Sequence, residues 1–253
     1  MSLPSLTPQF GSTLILIAVF YGLLAQSVRR EGMRAWLRKR ALGDWVLDST
    51  GLLIQGWMIP IFQTVLSTQV WGLLWPQGQR LLDIPPLLTF LIGFVAVDYA
   101  YYWNHRLLHS RYLWSQHETH HSTRTLDVLA SSRNTLWSSF LLVHLWLNGF
   151  LLYITAQPTA VLASVTLNAA LDLWRHSGLT EEGIFTQALK SAFITPRDHA
   201  WHHSQEEIHA NFGGNLKIWD KIHGTYRSPA RDPSAFGVAS PKPFLQQLLR
   251  PFI

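Results

Sequence analysis

Nine of the chain's twelve histidines fall into a pattern that could do chemistry. HRLLH sets His105 and His109 at i and i+4; HETHH sets His117, His120 and His121 at i, i+3 and i+4; HAWHH repeats that spacing at His199, His202 and His203. His176 stands apart, with Asp172 one helical turn before it. Residues three and four apart share a helix face, so each spacing makes a claw of two or three imidazoles. HETHH can be read two ways. As H-E-x-x-H it is the pattern of a zinc protease helix, with His117 and His121 on the metal and Glu118 as base. As H-x-x-H-H it offers three ligands. A zinc protease needs three protein ligands and an open position, which would leave at least six clustered histidines without work. Nine neutral imidazoles have room for two metals at four or five ligands each, so the repeated H-x-x-H-H carries the signal. An intramembrane zinc metalloprotease is the alternative. His144 and His209 lack the claw spacing and read as structural.

Elements must bring these claws together, and composition says what kind. The 253 residues are 48% hydrophobic and only 14% charged, about half the charge of an ordinary soluble domain. Twelve Trp and thirteen Phe suit aromatic belts at a bilayer, while a mean hydropathy of +0.10 describes a chain only partly in lipid. With no Cys, the chain itself offers no disulfide, thiolate zinc site or Fe–S ligand, so a metal must use His and carboxylate, which suits Zn, Fe, Cu or Mn. The net charge of +5 does not suggest nucleic acid, because the basic residues flank apolar runs.

The first 28 residues carry no charged side chain and can cross a bilayer, which needs about 20. No basic segment precedes the apolar run, so a cleaved signal peptide is not expected. RREGMRAWLRKR follows, and the positive-inside rule assigns it to the cytoplasm. A second uncharged run extends from Ser49 to Gln79, and IPPLLTFLIGFVAVDYAYYWNH is the third, its prolines in the first turn and Asp98 near its far end. Asn134 to Leu171 is the longest, 38 residues with Pro158 in its middle, and reads as a helical hairpin. The expectation is an all-α polytopic protein of four or five transmembrane helices. The histidine segments and C-terminus then lie on the cytoplasmic side. Imidazoles at membrane depth are costly and by default mark function.

DYAYYWNHRLLHSRYLWSQHETHHS (98–122), TPRDHAWHHS (195–204) and NFGGNLKIWDKIHGTY (211–226) together resemble the fatty acid hydroxylase/sterol desaturase superfamily of integral-membrane di-iron oxygenases. The resemblance implies transmembrane helices (10–97), a histidine-box core with a cytosolic helical cap (98–226) and a C-terminal tail (227–253). It implies two Fe ions on His105, His109, His117, His120, His121, His176, His199, His202 and His203, with O2 as co-substrate. Asp172 stands where relatives place His, Asn or Gln, and is expected to hold a water or orient His176 rather than ligate directly. Asp98, Asn211 and Asp220 are expected in supporting or water-mediated positions. Two departures stand out: Arg133 leads into Asn134 and Thr135 where His-Pro is common, and His223 replaces a common Phe.

Unactivated C–H bonds resist acid–base chemistry, so the cofactor carries that step while the protein positions the substrate. The resemblance implies hydroxylation or desaturation of a lipid drawn from the bilayer. The chain has no haem attachment motif and no GxGxxG, so an external donor is expected: a cytochrome b5-like protein, a ferredoxin or a flavin reductase. A non-catalytic lipid-binding relative would have lost ligands, and a metal transporter would need polar residues along its spans.

Overall fold

The computed structural model describes residues 7–179, 184–238 and 242–250. Among these the secondary structure is helical, with no β-strand and a few isolated bridges, such as Phe193 with Leu216. Helix α1, Thr7–Glu31, is uncharged until Arg29, and exposes Phe10, Leu14, Ile15, Ile17 and Tyr21. A left-handed glycine, Gly32 (φ 82°), ends it and turns the chain into α2, Met33–Arg38.

The next helical run, α3, covers residues 42–74 and contains two π-turns, Ile54–Met58 and Leu66–Val70. The first immediately precedes Pro60, which lacks an N–H and clashes with the carbonyl four residues back. A widened turn there accommodates both defects. Helix α4, Pro86–Leu108, opens with Pro at its first position, where a missing N–H costs nothing. Its own π-turn, Ile92–Ala96, frees the Gly93 carbonyl to accept from Asn168 Nδ2 at 3.4 Å. A side chain at Gly93 would collide with Ser164, so the glycine permits close packing of α4 on the later helix.

By length and composition, Phe10–Glu31 and Pro86–Leu108 are the described helices able to cross a bilayer. The run from 134 to 171 bends at Pro158, as expected, into α6, Val143–Ile154, and α7, Pro158–His176. Helix α6 has 12 residues, or about 18 Å at 1.5 Å per residue, which is short against the ~30 Å hydrocarbon core. The second uncharged run breaks at Trp75 and also falls outside that pair. Val97, Leu151 and Val161 form the small apolar core between α4, α6 and α7.

Between and after these helices come short elements: α5, Trp114–His117; α8, Pro196–His202; α9, Ile218–Ile222; and α10, Phe244–Leu249. Much of the buried interior here is polar: Asp98, Asp127, Arg133, Asp198, Asn211, Asn215 and Asp220 are all buried along with the histidines. Hydrogen bonds rather than apolar area therefore define this half of the molecule.

Candidate metal centre

Each claw is placed by a local device. On α4, Asp98, Tyr102 and His105 are buried on one face, and His109 caps the helix. Helix α5 ends at His117, and a 3-10 turn, His120–Ser122, carries the next two imidazoles. Helix α8 starts on a capping box: Thr195 Oγ1 accepts from the Asp198 N–H, and Asp198 Oδ2 accepts from the Thr195 N–H at 2.8 Å. Pro196 follows, and the helix then presents His199, His202 and, at its C-cap, His203. His176 is the last residue of α7.

All nine histidines converge, but not box by box. His105, His109, His117, His121 and His202 form one group; His120, His176, His199 and His203 form another. Within each group the candidate ligand atoms lie within 4.8 Å of one another, and every member is buried. A metal with bonds near 2.1 Å places opposite ligands ~4.2 Å apart, so both groups have the dimensions of one coordination sphere. They adjoin: the rings of His121 and His203 stack at 4.4 Å, and those of His117 and His120 stack at 5.1 Å.

The hydrogen bonds say which nitrogens face inward. Nδ1 of His105 donates to the Phe212 carbonyl (2.9 Å), His120 to Arg133 (3.1 Å), His176 to Asp172 (2.8 Å) and His202 to Ala210 (2.7 Å). A carbonyl only accepts, so each of these Nδ1 atoms holds the proton and each Nε2 is left with a lone pair. Yet His120 Nε2 and His176 Nε2 stand 3.3 Å apart. With both protons committed elsewhere, two lone pairs face each other in a buried site. Both nitrogens of His109 and His121, Nε2 of His202 and Nδ1 of His199 and His203 are buried without a hydrogen-bond partner. A cation at the middle of each group relieves the lone-pair contact and satisfies inward-facing nitrogens. The donor set therefore fits two metal ions.

The imidazoles outside the bilayer-length helices and clearly shifted by burial are held neutral. Burial, then the neighbouring rings, pushes His109, His117, His121, His199 and His203 well below the usual histidine range. Burial likewise takes His120 and His202 down to about 3. Neutral imidazole is the form that ligates.

The carbonyls are held in turn by buried carboxylates. Asp98 accepts from the N–H groups of Asn215 (2.7 Å) and Leu216 (3.0 Å) and from Trp219 Nε1 (2.8 Å). Asp220 accepts from the N–H groups of Phe212 and Gly213, each at 2.8 Å. The NFGGN loop is thus pinned from both sides, which fixes the carbonyl that orients His105. Its glycines are needed for this approach: a Cβ on Gly214 would lie 2.7 Å from Asp98 Oδ1, and one on Gly213 2.7 Å from Asp220 Oδ2. Asn211, in the left-handed region at φ 54°, donates to the carbonyls of Asp198 and Arg227 and accepts from the Arg227 N–H. Asp98, Asn211 and Asp220 thus act on the loop and are absent from both histidine groups. Asp172 is also outside both groups: its carboxylate pairs with Arg175, and its own carbonyl orients His176.

A further support has no signature in the residue pattern. Arg133, whose carbonyl orients His120, is buried and bonds through Nε to Asp48 (2.6 Å) and through Nη1 to Asp44 (2.8 Å). Arg40 bonds Asp48 at 3.0 Å and pairs with Asp127, which also accepts from Trp36 Nε1 at 3.0 Å. Trp36, Arg40, Asp44 and Asp48 come from α2, the start of α3 and the turn between them, in and just after the basic block, and Asp127 from the segment that follows the HETHH histidines. No spacing rule links residue 48 to residue 133.

Glu118, the base in the protease reading, turns to Arg250 at 2.7 Å and belongs to neither group. His144 stacks on Tyr101, His223 stacks on Tyr102 and contacts Tyr99 Oη at 3.3 Å, and His209 lies on the surface with its ring 6.0 Å from that of His109.

A helical protein with two adjoining buried histidine groups and apolar helices of bilayer length is the architecture of a membrane metalloprotein. Its sequence says which: the fatty acid hydroxylase family matches residues 90–225, and the chain belongs to that family of iron-dependent oxygenases. Similar proteins include the ornithine lipid hydroxylase OlsE of Rhizobium tropici, 33% identical over 175 residues, covering 66% of this chain and 51% of that protein. An alkylglycerol monooxygenase of Xenopus tropicalis is 26% identical over 178 residues, covering 67% of this chain and 38% of the relative. A very-long-chain aldehyde decarbonylase of rice, GL1-7, is 27% identical over 150 residues, covering 56% and 24%. The chain spans about half the length of these relatives or less. No solved structure matches it.

Proposed function

We propose that the protein is a membrane-bound, O2-dependent oxidoreductase that hydroxylates or desaturates a lipid C–H bond, with one iron ion in each histidine group. The observation that carries this reading is the facing pair of His120 and His176 lone pairs, inside one of two adjoining groups made only of imidazole. Iron bound there supplies oxygen activation and C–H cleavage, which side chains alone cannot perform. The chain's own part is to hold the nine buried rings in two groups, four of them by tautomers locked on backbone carbonyls.

In hydroxylation one atom of O2 enters the substrate. The other leaves as water, with two electrons and two protons supplied from outside. The electrons come from a separate donor, a cytochrome b5-like protein, a ferredoxin or a flavin reductase. The substrate is a lipid reached from the bilayer, consistent with relatives named for ornithine lipid and alkylglycerol. We assign residues 10–97 to membrane helices, 98–226 to the histidine core and cap, and 227–253 to a tail. The protein crosses the membrane four or five times, with core and C-terminus cytoplasmic.

Metal analysis of the purified protein, beside lipid mass spectrometry of cells with and without it and with His120→Ala, tests the reading. About two irons per chain and a lipid changed only by the intact protein are expected. Stoichiometric zinc with peptidase activity, or an unaltered lipid profile in air, would overturn it.

A further inference from the structure

Helix α6, VHLWLNGFLLYI, is the most apolar helix beside the site, yet it carries His144 and Asn148 one turn apart on one face. Both are turned into the protein. Asn148 is 4% exposed and its Oδ1 is buried without a partner; His144 Nε2 is likewise buried and unpartnered. A buried polar atom with no partner is costly, and more so in a helix at membrane depth. Neighbouring α7 shows such a need met: Asn168 donates to the Gly93 carbonyl and accepts from Asn215 Nδ2 at 2.7 Å. On α6 the unmet atoms belong to His144 and Asn148.

Their position relates them to those groups. The His144 ring stacks on Tyr101 at 4.5 Å and 6°, and Tyr101 lies 5.2 Å from His105, a member of the five-histidine group. The Asp172 side chain, on the neighbouring turn before His176, remains 35% exposed although Arg175 and His176 beside it are buried, so accessible space reaches this level of the helices. Asn148 lies one turn further from the histidines than His144.

We propose that His144 and Asn148 form a polar subsite for a hydroxyl group of the lipid substrate, holding it a few carbon atoms from the carbon that reacts. A hydroxyl both donates and accepts. It can donate to Asn148 Oδ1 and at the same time accept from His144 Nε2–H, whereas an ester or ether oxygen only accepts and leaves Asn148 Oδ1 unsatisfied. The stack on Tyr101 fixes the His144 ring plane. The inference rests on the lipid-oxidising reading above and adds the class of substrate to it.

Binding tests it without turnover. The probes are a long-chain 1-alkylglycerol and its di-O-methyl counterpart, titrated in detergent against the metal-loaded full chain by tryptophan fluorescence. A site built around a hydroxyl rejects the analogue lacking it, and we expect at least about tenfold tighter binding of the free diol. Asn148→Leu and His144→Phe should bring the two probes to within about twofold of each other, with iron content unchanged. His144→Gln, which keeps a donor and an acceptor, should retain most of the preference and shows that the effect is not a loss of fold. Equal binding of both probes by the native protein, no binding of either, or a preference that survives both apolar variants overturns the proposal. Iron content and oxygen-dependent lipid change, measured separately, judge the oxygenase reading.

Discussion

The five-histidine and four-histidine groups are neighbours built from the same two claws, yet they are held by different parts of the chain. His117 and His121 of HETHH go to the first group while His120 goes to the second; His199 and His203 of HAWHH go to the second while His202 goes to the first. In both claws the i, i+4 pair stays together and the i+3 ring crosses over. The five-member group hangs on the 210–215 loop through the Ala210 and Phe212 carbonyls, and a surface cavity of about 240 Å³ lined by Arg106, His109, Ser110, His209, Phe212 and Thr225 reaches it. The four-member group hangs on the carbonyls of Arg133 and Asp172, and through Arg133 on the carboxylates of Asp44 and Asp48 in α3. A claw is therefore a bridge between two centres, and each centre has its own mechanical support.

That division can be broken at several points. The largest effect belongs to the ligands. His202→Ala should empty the five-member group and His199→Ala the four-member group, each lowering iron from about two to about one per chain by elemental analysis. A variant that loses both ions would show the groups are one cooperative unit.

Next comes Asp48→Ala. Removing the carboxylate that Arg133 and Arg40 share, and leaving them only Asp44 and Asp127, should cost on the order of 3 kcal/mol. The melting temperature should fall, and iron retention in the four-member group should weaken first. Equal weakening of both groups would mean that the network only stabilises the fold.

A smaller, mirror-image effect is expected from Gly214→Ala. Its Cβ would meet Asp98 Oδ1 at 2.7 Å and the Tyr101 ring at 2.9 Å, an overpacking worth roughly 1–3 kcal/mol. Metal loss should begin in the five-member group, as read by chelator competition.

Acid should act on both. The folded imidazoles lie below the ordinary value near 6.5, with His120 and His202 at about 3. The unfolded chain thus binds more protons between these values. The stability of the metal-free fold should be fully present above about pH 6.5 and be lost as pH falls toward 3. A denaturation midpoint independent of pH across that window would contradict the burial described.

The smallest effect is predicted for Glu118→Gln. Its partly exposed pair with Arg250 is worth less than about 1 kcal/mol, and iron content should not change. Loss of metal or of activity here would revive the protease reading.

Much of this was legible in the residues. Uninterrupted apolar runs announce helices, prolines at 85, 86 and 158 mark where two of them start, and repeated i, i+3, i+4 histidines announce claws. The literal HExxH was a distraction, because a five-letter pattern does not say where the glutamate points. In α6 the uncharged run is long but the helix within it has 12 residues.

The chain by itself determined local geometry: which residues are helical, which rings share a face, and that no thiol competes for a metal. Those depend on near neighbours, and spacing encodes them. Only the tertiary structure decided how nine rings divide into two groups, that Arg133 and Asp48 stand behind His120, and that the NFGGN glycines exist to let Asp98 and Asp220 reach the backbone. The Asp48–Arg133 and Asp98–Asn215 contacts join residues 85 and 117 positions apart and are selected by burial and by unmet hydrogen bonds, which act across the folded molecule and leave no period in the sequence.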